Sequence, residues 1–313
     1  MKKITVVIVL LAVVLAAGAQ KRPKAIVKLE KQLVGEFVAI PAGHYTEYNT
    51  NSEAKVVSKR EYTFSSFYML STEVTNKAYS TFLEDLITQG RMADYEVARV
   101  HEECLVNLSL SSRKMKVKVS SGASDNSLNQ SDTIQYFGRP AYALHPVVDV
   151  SYEGALLFCQ WLNEKLGDTD YEYMLPTKAQ WQYAAQGGFA LATYSCGGPY
   201  LTNHNGKPLY KYKKVGDEYI SIKDSALTIL SDNFFYDLND FNFSVVNAAS
   251  FYPNPYGLYN MCGNVAEMVY GESIALGGSY NDPGYDIRIQ SEKPYTGPSP
   301  MIGFRVIAVK KTR

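Results

Sequence analysis

The run Pro253-Asn254-Pro255-Tyr256-Gly257-Leu258-Tyr259-Asn260-Met261-Cys262-Gly263-Asn264-Val265-Ala266-Glu267-Met268 sets turn-forming Pro, Gly and Asn residues around a single carboxylate. Asn260, Asn264 and Glu267 place oxygen donors along a segment that Gly257 and Gly263 keep irregular, so backbone carbonyls are freed as well. That is the donor set of a hard cation such as calcium. The same composition also describes a plain polar turn, because Asn and Asp side chains hydrogen-bond their own backbone. Upstream, Asp232-Asn233 and Asp237 to Asn242 form a second oxygen-rich stretch.

Working outward, three helices carry start and stop signals. Pro176-Thr177-Lys178-Ala179-Gln180 contains a capping box, Thr177 with Gln180, followed by Trp181, Ala184 and Ala185 on one side and Gly187-Gly188 as the stop. Ser151 caps a second helix whose face is Ala155, Phe158, Cys159, Leu162 and Leu166, ending before Gly167. Thr75 caps a third, with Tyr79, Phe82, Leu83, Leu86 and Ile87 at helical spacing and Gly90 as the stop. Short apolar runs predict strands at 37–41, 66–70, 147–150 and 304–309. Residues 105–138 are Ser- and Asn-rich with a basic patch at Arg113 to Lys118, which reads as a partly ordered insertion. Residues 191–232 form a second long connection.

The chain opens with Lys2-Lys3, an apolar run from Ile4 to Ala16 and the small residues Ala17-Gly18-Ala19. This is the pattern of a secretory signal peptide over 1–19, and the run is short for a membrane span. No later stretch is apolar enough to span, so the expected product is exported, to the periplasm or the cell envelope and beyond. The 31 basic and 31 acidic side chains balance, and loss of Lys2 and Lys3 leaves a slightly acidic remainder. That excludes a protein that holds nucleic acid by charge. The 25 tyrosines against 13 phenylalanines suit a loop-rich fold with many half-buried surfaces. Cys104, Cys159, Cys196 and Cys262 allow three pairings, among which the sequence does not choose, and they contain no C-x-x-C. The four histidines are scattered, and no G-x-S-x-G, H-E-x-x-H or Walker loop occurs.

Seven blocks in order resemble the formylglycine-generating, or sulfatase-modifying factor, family. They are Phe37 to Gly43, Phe67 to Asn76, His145 to Tyr152, Met174 to Ala185, Gly257 to Glu267, Gly277-Gly278-Ser279-Tyr280 and Gly303-Phe304-Arg305. The resemblance implies one α+β domain of C-type-lectin-like architecture, low in regular structure. It would span residues 37–313 after a lead-in over 20–36, with insertions at 91–140 and 191–232. It also implies structural calcium. One site would use Asn260 and Glu267 side chains with the carbonyls of Gly263 and Val265. The other would map to Asn233, Phe234, Asp240 and Asn242.

The family's oxidase chemistry rests on two cysteines shortly after Gly-Gly-Ser-Tyr, which bind copper. Here Asp282 stands at the first position and Asp286 or Ile287 at the second. A carboxylate is a hard ligand and does not replace a thiolate for Cu(I). Copper and formylglycine generation are therefore not expected. The resemblance includes exported envelope components linked to gliding motility and type IX secretion. Two expectations follow: a non-catalytic protein that binds a protein or glycan partner in the cell envelope, or an enzyme of altered chemistry using Asp282, Asp286 and Arg288.

Overall fold

The computed structural model describes residues 22–50, 56–101, 136–167, 170–213, 220–223, 226–229 and 245–311. Outside them lie the signal peptide, Cys104, nearly all of the 105–138 insertion, and the four residues of one expected calcium site, Asn233, Phe234, Asp240 and Asn242.

Local capping signals specify the helices. Helix α1 spans Lys24–Leu33. In α2, Asn76–Thr88, the Thr75 side chain accepts from the Ala78 amide. After α3, Met92–Ala98, helix α4 runs Tyr152–Leu166, with Ser151 accepting from Gly154. Gly167, at φ 70°, stops α4. The full capping box forms at Thr177 and Gln180 of α5, Lys178–Ala185. Helices α2 and α4 bury their apolar faces on one another through Tyr79, Phe82, Phe158 and Trp161, and Phe304 closes the cluster. Ring centroids there are 5.3 Å (Tyr79–Phe82), 5.4 Å (Phe82–Phe158) and 5.5 Å (Phe158–Phe304) apart. Each such ring contributes about 1.5–3 kcal/mol by leaving water.

Two four-stranded sheets flank these helices. The first has the order β1 (Phe37–Ile40), β4 (Phe67–Leu70), β12 (Ile307–Lys310) and β5 (Tyr171–Met174), antiparallel throughout. The second has the order β10 (Glu292–Pro294), β9 (Ile274–Leu276), β8 (Ala266–Met268) and β11 (Ile302–Phe304), with β8 and β11 parallel. A hairpin of β2 (Gly43–Thr50) and β3 (Val56–Phe64) and a short pair, β6 (Ile220–Lys223) with β7 (Ala226–Ile229), complete the α+β fold.

Three expectations are revised. Residues 304–309 are not one strand. The chain leaves the second sheet at Phe304 and enters the first at Ile307, and Arg305 and Val306 make the crossing. Residues 147–150 are buried as expected but irregular, since Asp149 takes φ 58° and breaks the extended run. The lead-in carries helix α1, tied to the first sheet by Arg22, which pairs with Glu30 and lies over Tyr68 and Tyr171 at 4.5 and 4.8 Å. The two insertions also begin inside the fold: Ala98, Ala192, Tyr194 and Tyr210 are all buried.

Candidate functional site

The turn from Asn260 to Glu267 is bent by three left-handed positions, Asn260 (φ 52°), Gly263 (φ 76°) and Asn264 (φ 62°), among residues that tolerate them. Gly263 is required twice over, because a Cβ there would run into the Lys211 carbonyl. Gly263→Ala should cost about 1–3 kcal/mol through left-handed strain and this clash, read as a lower urea midpoint. Two backbone bonds lay the Gly-Gly-Ser-Tyr block alongside the turn: Gly263 N–H to Gly277 O and Tyr280 N–H to Asn264 O, both 2.8 Å.

Behind the turn lies a buried, charged cluster. Glu267 and Arg305 are 1% and 0% exposed. Arg305 donates Nη2 to Glu267 Oε1 at 2.6 Å and Nε to Oε2 at 2.8 Å. Its remaining N–H groups reach the carbonyls of Leu70, Ser71 and Tyr259 at 3.0, 3.1 and 2.8 Å. All five guanidinium donors are thus used. Trp181 adds a third bond to Glu267, Nε1 to Oε2 at 2.7 Å. The expected calcium ligand Glu267 is therefore an internal ion-pair partner.

A second carboxylate, Glu73, sits in the same cluster with no exposure. Asn264 Nδ2 donates to it at 2.8 Å and Asn260 Nδ2 at 3.3 Å. Asn260 Nδ2 also reaches the Ala248 carbonyl at 2.9 Å. Burial pushes Glu73 up to about 8; Arg305 opposes the rise and Glu267 adds to it. For Arg305, burial lowers the pKa, but Glu267 outweighs it and the guanidinium is held above its ordinary value.

Asp282 follows the Gly-Gly-Ser-Tyr block by two residues. Its Oδ2 accepts from the Ser279 hydroxyl at 2.6 Å and the Ser279 amide at 2.8 Å. Lys293 Nζ reaches both oxygens, at 2.8 and 2.9 Å. Asp286 is exposed on a 3-10 turn, Gly284–Asp286, while Ile287 is fully buried. Arg288 Nε bonds the Tyr285 carbonyl in its own turn. Among the described residues no hydrogen bond or ion pair joins Asp282, Asp286 and Arg288.

The sequence alone did not bring Lys293, Ser279 and Asp282 together, nor Glu73 with Arg305. These contacts are long-range, except that Ser279-x-x-Asp282 is a visible Ser/Asp turn spacing. Among the described residues, Cys159, Cys196 and Cys262 form no disulfide. Burial pushes the Cys262 thiol up to about 12 and Cys159 higher still, so neither is an activated nucleophile. His145 packs edge-on against Tyr136 and Tyr142 and its carbonyl accepts the Asn76 amide, a structural role.

The sulfatase-modifying factor enzyme 1-like domain model matches residues 23–310. The chain belongs to the sulfatase-modifying factor family. A formylglycine-generating enzyme from Mus musculus is 22% identical over 263 residues, which cover 79% of this chain and 58% of that one. A serine/threonine-protein kinase pkn1 from Chlamydia pneumoniae is 25% identical over 235 residues, covering 75% and 27%. This sulfatase-modifying factor protein thus spans less than two thirds of either relative. The solved structure of PvdO from Pseudomonas aeruginosa shares the fold, with a TM-score of 0.52 at 18% identity, covering 87% of this chain and 93% of that one.

Proposed function

We propose that this family member is an exported, non-catalytic component of the bacterial cell envelope that binds a protein or glycan partner and does not generate formylglycine. One observation carries the reading: where the family's first active-site cysteine would stand, Asp282 is neutralised by Lys293 and held by Ser279. Copper does not fit this position. The ligand is a hard carboxylate already paired with an ammonium, and Cu(I) selects thiolates. The second cysteine position offers an exposed carboxylate or a buried isoleucine, neither of them a soft ligand.

The envelope setting is supported by the leader-like opening of the sequence and by the family's exported members of the gliding and type IX secretion kind. No helix of the described residues is long and apolar enough to cross a membrane. Partner contact would fall to the 91–140 and 191–232 connections, apart from Ala98, Ala192, Tyr194 and Tyr210, which are committed to the core. Calcium at Asn233, Phe234, Asp240 and Asn242 remains part of this reading on the family pattern. An enzyme of altered chemistry is the weaker alternative, since Asp282 and Arg288 are each bonded within their own surroundings and not to one another.

The test is incubation with a sulfatase-type cysteine peptide, copper and oxygen, with a formylglycine-generating enzyme as positive control and mass spectrometry for the aldehyde. No aldehyde above the protein-free control is expected. Aldehyde that disappears in Asp282→Asn would sink the proposal. In cell fractions, the chain should travel with the envelope; recovery only from the cytoplasm would remove that half of it.

A further inference from the structure

The turn from Asn260 to Glu267 was expected to close around calcium, and its two side-chain donors can be tested against that ion. Calcium takes six to eight oxygens at about 2.3–2.6 Å, with carboxylates supplying the charge. Glu267, the only carboxylate of the set, receives three N–H donors, two of them from a guanidinium at 2.6 and 2.8 Å. Its charge is already balanced, and a divalent ion on it would lie against Arg305, with like-charge repulsion that a fully buried site does little to screen. Asn260 turns Nδ2 toward Glu73 and the Ala248 carbonyl, so its amide is anchored through its donor end. Among the described residues no group of three or more His, Cys, Asp or Glu is assembled to hold a metal.

Arg305 meets the requirements that a bound cation would otherwise meet. It is fully buried, its five donors are all used, and it ties three separate pieces of chain together: the end of β4 at Leu70 and Ser71, the start of the turn at Tyr259, and β8 at Glu267. We infer that Arg305 is the resident counter-cation of the Asn260–Glu267 turn, and that this turn closes without calcium. The inference is independent of the proposed function, and it leaves the other oxygen-rich stretch untouched.

Trp181 provides a local reporter, because its indole N–H lies 2.7 Å from Glu267. The EDTA-treated full chain is titrated with terbium under excitation selective for tryptophan, then challenged with calcium. The expected result is no sensitised emission, or emission of equal strength in wild type and Trp181→Phe, which places the lanthanide elsewhere. Emission that calcium displaces and that a folded Trp181→Phe variant lacks would overturn the inference. Should Trp181→Phe not fold, Asn260→Ala is read by calorimetry instead, since it leaves the ion pair intact. Calcium binding that is absent, or unchanged by Asn260→Ala, supports the inference. Binding weakened tenfold or more by that substitution overturns it.

Discussion

Arg305→Met is expected to lower the folding stability by about 3–5 kcal/mol, the usual cost of removing one partner from a buried ion pair. That is a large part of the roughly 5–15 kcal/mol that holds a domain together. The loss has two sources. Glu267 would remain 1% exposed with its charge uncompensated, facing Glu73, itself without exposure. The carbonyls of Leu70, Ser71 and Tyr259 would also lose the donors that satisfy them. Because Arg305 stands where the chain passes from one sheet to the other, the damage would reach both sheets.

Urea denaturation monitored by tryptophan fluorescence measures the effect. The double variant Arg305→Met/Glu267→Leu should recover part of the loss, since replacing both charges by apolar groups removes the stranded carboxylate. A drop below about 1 kcal/mol for Arg305→Met would contradict the ion-pair account, because surface-like pairs fall in that range.

What the sequence conveyed about this fold divides by distance along the chain. The caps at Thr75, Ser151 and Thr177 act on amides three residues away, so their signals are local and the structure bears them out. The α+β class and the family followed from ordered blocks, each a short run. The strand expected at 304–309 was wrong for a long-range reason: the run is apolar on both sides of Arg305, but Arg305 is buried against Glu267 and the chain changes sheet there. Helix α1 was missed because its one buried position is the charged Glu30, whose partners Arg22 and Tyr173 are far from it in pattern or in sequence.

The candidate site divides in the same way. Asn260 and Glu267 are conspicuous in their own turn, and a cation ligand set was the natural reading of oxygens on a glycine-rich segment. The facts that redirect it lie 38 residues away, at Arg305, and 187 and 191 residues from the two asparagines, at Glu73. Asp282 stood out in the sequence as a carboxylate just after Gly-Gly-Ser-Tyr. That Lys293 would neutralise it depended on how β10 pairs beside β9.

Two carboxylates and one guanidinium leave the buried cluster with an excess negative charge unless Glu73 holds a proton, and this sets a second large effect. The ordinary glutamate value is 4.5, and burial raises Glu73 to about 8. Between those values the folded chain keeps a proton that the unfolded chain releases. Stability rises with pH only where the unfolded state binds more protons, so here it must fall as pH rises from about 4.5 to 8. Below that window both states are protonated and no penalty remains; above it both are ionised and the penalty is complete. The slope has an upper bound of about 1.4 kcal/mol per pH unit for one proton.

His145 acts in the opposite sense. Burial lowers its pKa, so its contribution is recovered as pH rises toward 6.5. A wild-type profile alone would mix the two. Glu73→Gln separates them, because the amide copies the neutral acid and retains an oxygen for the Asn264 donor. The urea midpoint should therefore be followed from pH 5 to 9 in both proteins. The variant should lie closest to wild type near pH 5 and become increasingly the more stable of the two toward pH 8. Parallel profiles would mean that Glu73 is ionised throughout and that Arg305 shares its charge between both carboxylates. In that case the cluster would be a paired triad, not a salt bridge beside a neutral acid.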